Sequence, residues 1–456
     1  MSTIAPAELV ARIWERDPTV WTGNDEAKWL GWLDEPMRMR SRISDLLRFV
    51  EDLTAPGIVD TFVLLGMGGS SLAPEVIRRT FESESFHVLD TTHPAAVRRI
   101  TEELDFDRTL FVAASKSGTT LETRCHLDYF WECAGKRGEL FAAITDPGSE
   151  LEALARERSF AGVFEGEPTI GGRYSALSVF GLVPAALLGV DLERLLERVD
   201  EMVEACRSQE GNPGLDLGLE LGRNWQDGRD KVTINPNTGD FGLWAEQLLA
   251  ESTGKDGKGL IPAPGESPVG PDRQAPEVRL SAPYELGQEF FRWEFATAVA
   301  GSILEINPFD QPNVQAAKDK TKEVLAAGGD PDVAPHGSLE ELFAEASLGD
   351  YVAVQAFIDP AREAELEGLI EEARAETRCV VTHGLGPRYL HSTGQLHKGG
   401  PNTGLFVQVV DDPGDEVPIP GRKLGFRRLI QAQAAGDLSS LEERGRRIVR
   451  VRLEDL

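Results

Sequence analysis

Two short stretches carry residue types suited to holding an anion: Gly66-Met67-Gly68-Gly69-Ser70-Ser71 and Ser115-Lys116-Ser117-Gly118-Thr119-Thr120. Each follows an apolar run and opens a segment of helical spacing. A loop in that place presents unpaired backbone N–H groups and the positive end of a helix dipole. Glycines let the backbone approach an anion closely, and hydroxyls donate to its oxygens. Phosphate is the expected ligand. Neither stretch is GxxxxGK[ST] or a complete GxGxxG, so they are not the common nucleoside triphosphate or dinucleotide loops. A tight turn plus an N-cap is the plainer reading of either loop alone, and the pair favours phosphate.

The elements that must carry these loops are legible as an alternation. IVDTFVLLG, FHVLD (86–90), TLFVAAS (109–115) and LFAAITD (140–146) read as strands, each but the second running through a loop into a helical pattern. Apolar strands alternating with helices imply a parallel sheet covered on both faces. A helical stretch (176–209) ends near Gly211-Asn212-Pro213-Gly214, a chain boundary signal. A second alternation follows: KVTINP (231–236), an amphipathic run, a Gly/Pro-rich loop (254–276), a long helix (284–305), then YVAVQAFID, RCVVTHG and GLFVQVV. The expected organisation is a Trp-rich helical arm (1–50), a first α/β domain with the phosphate loops (51–212), a second (213–412) and a C-terminal extension (413–456). RGRRIVRVR near the end alternates like a charged edge strand.

Taken in order, GMGGSSLAPE, SKSGTTLET, GGRYSALSVFG, AESTGK and NPFDQPNVQAAK resemble the sugar isomerase family, in its glucose-6-phosphate isomerase branch. The likeness spans roughly residues 58–320. WERDPTVWTGNDEAKWLGWLD and GPRYLHSTGQLHKGGPN are similar to the isomerase half of fused transaldolase–isomerase enzymes, without the transaldolase barrel. The resemblance implies two flavodoxin-like, three-layer sugar-isomerase domains and aldose–ketose interconversion of glucose 6-phosphate and fructose 6-phosphate. It needs no metal or cofactor. It also implies a homodimer in which the partner subunit supplies a histidine.

Carried across, the resemblance assigns phosphate binding to Ser115, Ser117, Thr119 and Thr120, with Lys116 beside them and Gly69 and Ser70 nearby. Gly118 stands where many members have an aromatic residue. Arg173 matches the arginine that stabilises the enediolate, Glu251 the catalytic base, and Gln247 and Gln311 the substrate-contacting glutamines. Lys318 matches the lysine that assists ring opening. The chemistry is consistent: one carboxylate can take the C2 proton and return it at C1, while a permanently charged arginine meets the developing oxyanion. Gln247 and Glu251, four apart, share one helix face. The histidine departs from the family pattern, because residues 252–317 contain none. His397, in TGQLHKGGPN, is the first choice and His391 the second, since an imidazole is the side chain suited to proton transfer near neutral pH. Both also remain readable as structural loop histidines.

Composition bounds the partners. With 47 basic and 76 acidic residues the net charge is −29, which opposes nucleic acid and anionic membranes. No apolar run reaches the ~18 residues of a membrane span, and the N-terminus lacks a signal-peptide order. The four cysteines show no CxxC spacing, and His383, His391 and His397 form no recognisable metal set. A cytoplasmic enzyme for a sugar phosphate is the expectation. Acceptance of mannose 6-phosphate as well, or a non-catalytic sugar-phosphate sensor on the same fold, stays open.

Overall fold

Strands with no polar face must be buried on both sides, and those here are. The computed structural model describes residues 5–54, 59–235 and 239–456, with side chains omitted at 314–318. β1 (Thr61–Gly66), β2 (Phe86–Leu89), β3 (Thr109–Ala114), β4 (Phe141–Thr145) and β5 (Gly162–Glu165) form one sheet in the order 2-1-3-4-5. Every pairing in it is parallel. That is the flavodoxin-like order, whose ligand crevice lies beyond the carboxyl ends of the strands. The Gly/Ser loop follows β1 and the Ser/Thr loop follows β3, so both open at that end.

The second alternation is divided. β6 (Lys231–Ile234) pairs in parallel with β7 (Ile261–Pro264) and β8 (Arg273–Gln274). β9 (Tyr351–Phe357), β10 (Val380–Leu385), β11 (Gly404–Val410) and β12 (Arg447–Arg452) form a parallel sheet in the order 10-9-11-12. The expected loop at 254–276 therefore holds two short strands, a correction. Their brevity and prolines gave no run long enough to read. The stretch 413–456 is likewise no extension, because it supplies the helix Phe426–Glu442 and edge strand β12 of the second sheet.

The tryptophan-rich start does not stand apart as an arm. Trp14 and Trp32 pack on Phe291 and Phe295 of the long helix Leu286–Leu304, and Trp21 Nε1 donates to Ala298 O at 2.7 Å. On its other flank that helix meets Pro213–Gln226, whose Gly218 sits so close that a Cβ would lie 2.5 Å from Ala296 O. The helix is buried along nearly its whole length, and the charged residues it takes inside include a pair of its own, Arg292 donating to Glu289 at 2.9 Å. Each aromatic buried there contributes about 2–3 kcal/mol. The enclosed helix is a rigid wall behind the loop 307–313, which reaches the site.

Candidate active site

The helix Phe241–Thr253 brings three polar side chains to one buried point. Gln247 and Glu251 stand one turn apart, with Gln247 Nε2 donating to Glu251 Oε2 at 3.0 Å. Ser252 Oγ accepts from Arg173 Nε at 2.7 Å. Arg173, only 1% exposed, lies on the turn Gly172–Tyr174 and reaches Glu251 Oε1 at 3.2 Å. Its remaining donors go to Pro308 O (2.6 Å), Asp310 O (3.0 Å) and Gln311 Oε1 (3.3 Å). Tyr174 stacks on Trp32 at 5.4 Å, which anchors the turn. A fully buried guanidinium must have its planar fork satisfied, and here backbone carbonyls and a carboxylate do so. Among the described residues Gln247 Oε1 has no partner although it is buried. It is an acceptor free for a ligand hydroxyl.

The first loop is glycine-rich because two other segments crowd it. Gly68 has φ +54°, and a Cβ there would lie 2.5 Å from His391 O and 3.1 Å from Gln247 Nε2. At Gly69 a Cβ would lie 2.1 Å from Gly172 O, so the loop touches the arginine turn. Ser70 is buried beside it. In the second loop Ser115 Oγ lies 2.9 Å from Thr120 Oγ1, and Ser117 Oγ lies 2.9 Å from Thr119 Oγ1. The four hydroxyls cluster at the start of the helix Leu121–Cys133, where donors to an anion are expected. Lys116 does not join them. Its ammonium turns to Asp146 Oδ1 (2.8 Å) and Glu167 O (2.9 Å), because Asp146 at the end of β4 offers it a carboxylate.

The three late histidines face three different partners. His383 meets Glu363 at 3.3 Å. His397, the first choice from sequence, is turned into the core. Gln355 Nε2 donates to its Nδ1 at 2.9 Å, and its ring packs on Phe406 at 5.2 Å. Burial pushes its pKa well below the usual histidine range, so the ring is neutral there. His391 is the histidine at the cluster. Its carbonyl accepts from Gln247 Nε2 (2.8 Å), and its Nε2 lies 3.1 Å from Glu122 Oε1. The reason is local: the turn Arg388–His391 packs on the first loop, while His397 lies on the next short helix, Gly394–Gly399, facing the sheet.

Lys318 falls on the helix Val314–Ala327, but its side chain lies outside the described residues. Three residues unassigned by sequence belong to the cluster. Glu122 and Lys255 sit inside the strings SKSGTTLET and AESTGK, so a signal existed for both. Lys255 Nζ donates to Asn307 O and Asp310 O (both 2.7 Å) and to Asp310 Oδ1 (2.6 Å), bracing the loop that meets Arg173. Burial, then the neighbouring Arg173 charge, push its pKa down to about 8. Gln433, which donates to Glu122 Oε1 at 2.7 Å, has no local sequence signal.

Comparison with known proteins gives the same direction. A family model described as Phosphoglucose isomerase matches residues 49–219. A "Probable glucose-6-phosphate isomerase" of Natronomonas pharaonis is 30% identical over 340 residues, covering 67% of this chain and 77% of that protein. The "Glucose-6-phosphate isomerase" of Gloeothece citriformis is 32% identical over 268 residues, covering 51% of this chain and 50% of that one. The chain spans about half the length of most of the curated relatives it matches. Among solved structures, a glucose-6-phosphate isomerase from Chlamydia trachomatis shares the fold at a TM-score of 0.53 and 19% identity, covering 70% of this chain and 78% of that chain. With the identity and coverage of the Natronomonas relative, the chain belongs to the phosphoglucose isomerase family.

Proposed function

We propose that the chain is a glucose-6-phosphate isomerase, acting as a cytoplasmic homodimer on glucose 6-phosphate and fructose 6-phosphate. The observation that carries this reading is the buried Glu251–Arg173 contact at 3.2 Å, with Gln247 one turn away and the hydroxyl loop opening at the same strand ends. The hydroxyls of Ser115, Ser117, Thr119 and Thr120, with the Gly69–Ser70 backbone, hold the phosphate. His391 Nδ1 takes the proton of the anomeric hydroxyl and hands it to the ring oxygen as the C1–O5 bond breaks, assisted by Lys318, and the chain opens. Glu251 then takes the C2 proton, and the electron pair moves through a cis-enediolate whose O1 or O2 charge faces Arg173. Glu251 returns the proton at C1, so one carboxylate serves both halves and is regenerated. Gln247 and Gln311 orient the hydroxyls. An arginine pre-held by four other acceptors meets the charge without reorganising, where removing such a contact costs about 10²–10³ in rate.

In this reading His391 and Glu122 belong to one chain, so neither subunit borrows the ring-opening group. Among the described residues no helix is long and apolar enough to cross a membrane, which fits a water-borne substrate. The test is a coupled fructose 6-phosphate to glucose 6-phosphate assay with chelator present, on wild type, Glu251→Gln and His391→Ala. Chelator-resistant activity that falls at least 10³-fold in Glu251→Gln supports the isomerase. A wild type that binds sugar phosphates but turns none over sinks it in favour of a sensor.

A further inference from the structure

Glu122 lies in the first turn of the helix Leu121–Cys133 and is 6% exposed. Two N–H groups converge on its Oε1: His391 Nε2 at 3.1 Å and Gln433 Nε2 at 2.7 Å. Gln433, on the helix Phe426–Glu442, is buried, and its own Oε1 accepts from the buried hydroxyl of Thr92 at 2.7 Å. Thr92 follows β2 in the first sheet. The carboxylate decides which way round the amide sits: Glu122 only accepts, so the Gln433 NH₂ group points at it, and the amide oxygen is left to the Thr92 hydroxyl, which holds it in place. A chain of contacts therefore runs Thr92, Gln433, Glu122, His391, and crosses three times between the elements of the first sheet and those of the second.

The surrounding contacts are of another kind. Asp90 takes a two-pronged contact from Arg388 (2.7 and 2.9 Å), His93 meets Asp411 at 3.1 Å, and Arg99 meets Asp359 at 2.8 Å. These tether the same loop and the first helix after it to the C-terminal half whether or not Gln433 is present. Docking is thus assured by charge pairs, and the neutral pair Thr92–Gln433 is left with orientation. Fully satisfied buried networks specify one geometry, and a displacement of 1 Å at a reacting group costs up to 10²-fold in rate.

We propose that Gln433, oriented by Thr92, is a positioning residue for ring opening: it aims the Glu122 carboxylate so that His391 keeps its Nε2 proton on Glu122 and presents Nδ1 to the sugar. The proposal rests on the reading of His391 given above. It places a determinant of the chemistry on the C-terminal helix, more than 300 residues from the loop it serves in the chain.

Ring opening and closing alone interconverts the anomers of glucose 6-phosphate, without moving the C2 proton. Proton exchange spectroscopy on the two anomers in a Glu251→Gln background therefore isolates the step. Gln433→Met and Thr92→Val are each expected to slow enzyme-dependent anomer exchange about tenfold or more. In the otherwise wild-type enzyme they lower kcat similarly, with KM within about threefold. Thr92→Ser, which keeps the hydroxyl, rescues both rates. Unchanged anomer exchange in Thr92→Val or Gln433→Met overturns the proposal, as does an equal loss in Thr92→Ser. If the Glu251→Gln parent exchanges anomers no faster than solution while still binding the sugar phosphate, the assignment of His391 fails, and this proposal with it.

Discussion

Replacing Arg173 by lysine keeps the charge and removes the fork. The guanidinium reaches Ser252 Oγ, Pro308 O, Asp310 O, Gln311 Oε1 and Glu251 Oε1 between 2.6 and 3.3 Å. An ammonium is one point with three donors and cannot span that set. Asp310 O keeps Lys255 as a partner, but Pro308 O is left buried and unpaired. An orphaned buried carbonyl costs about 1–3 kcal/mol, so Arg173→Lys is expected to lose that much stability by urea unfolding. The larger effect is kinetic. A point charge held by fewer partners meets the enediolate less closely, at about 3–4 kcal/mol of barrier, or some 10²–10³ in kcat. KM for fructose 6-phosphate should stay within about threefold, because in the proposed function the hydroxyl loop carries the phosphate. The coupled assay on wild type, Arg173→Lys and Arg173→Met measures this. A folded Arg173→Lys within tenfold of wild-type kcat, with Arg173→Met inactive, would refute the reasoning, since charge alone would then suffice.

Gly69→Ala drives a methyl to within 2.1 Å of Gly172 O, so the loop or the arginine turn must shift by about an ångström. A loss of about 1–3 kcal/mol and up to 10² in kcat is expected from unfolding curves and rates. His397→Ala strips Gln355 Nε2 of its acceptor and hollows the core beside Phe406, which predicts about 3 kcal/mol of lost stability with kcat little changed; a drop in kcat comparable to that of His391→Ala would return the acid to His397. Mixing inactive Glu251→Gln with inactive His391→Ala should restore no activity if, as proposed, both groups act within one chain; recovery toward a quarter of wild type would mean a shared site. Burial holds the Glu294 carboxyl well above its usual range, and its Oε1 has no partner among the described residues. Its proton stays in the folded state while the unfolded chain releases it near pH ~4.3. The contribution of Glu294 to stability is therefore fullest below that pH and is lost as pH rises, by up to about 1.4 kcal/mol per unit. Glu294→Gln should match wild type near pH 4 and exceed it at pH 7, and a pH-independent difference would contradict this.

Much of the site was legible because it sits in short local strings. SKSGTT, GGRYS and AEQLLAES place hydroxyls, arginine, glutamine and carboxylate by chain neighbours, and each element is set by local pattern: β1 and β3 by apolar runs, the helix Phe241–Thr253 by its spacing. The direction Lys116 takes has a reason outside its string, since Asp146 comes from the end of the next strand. The choice between His391 and His397 was likewise beyond local pattern. Six residues apart in one segment, they differ only in which surface the turn and the following helix press against, the first glycine loop or the β9–β11 sheet. β7 and β8 were missed because four and two residues carry too little periodicity, and β6 recruits them only after folding.

By itself the sequence determined the α/β class, the Gly- and hydroxyl-rich loops that follow β1 and β3, and the arginine and carboxylate on which the proposed site rests, because these depend on side-chain type and on spacing within a turn or two. Tertiary structure alone decided which histidine meets Glu122, that the last helix contributes Gln433, and that residues 413–456 complete a sheet. Those facts are contacts between segments up to some 300 residues apart. They arise from the packing of two sheets whose mutual placement no local pattern encodes.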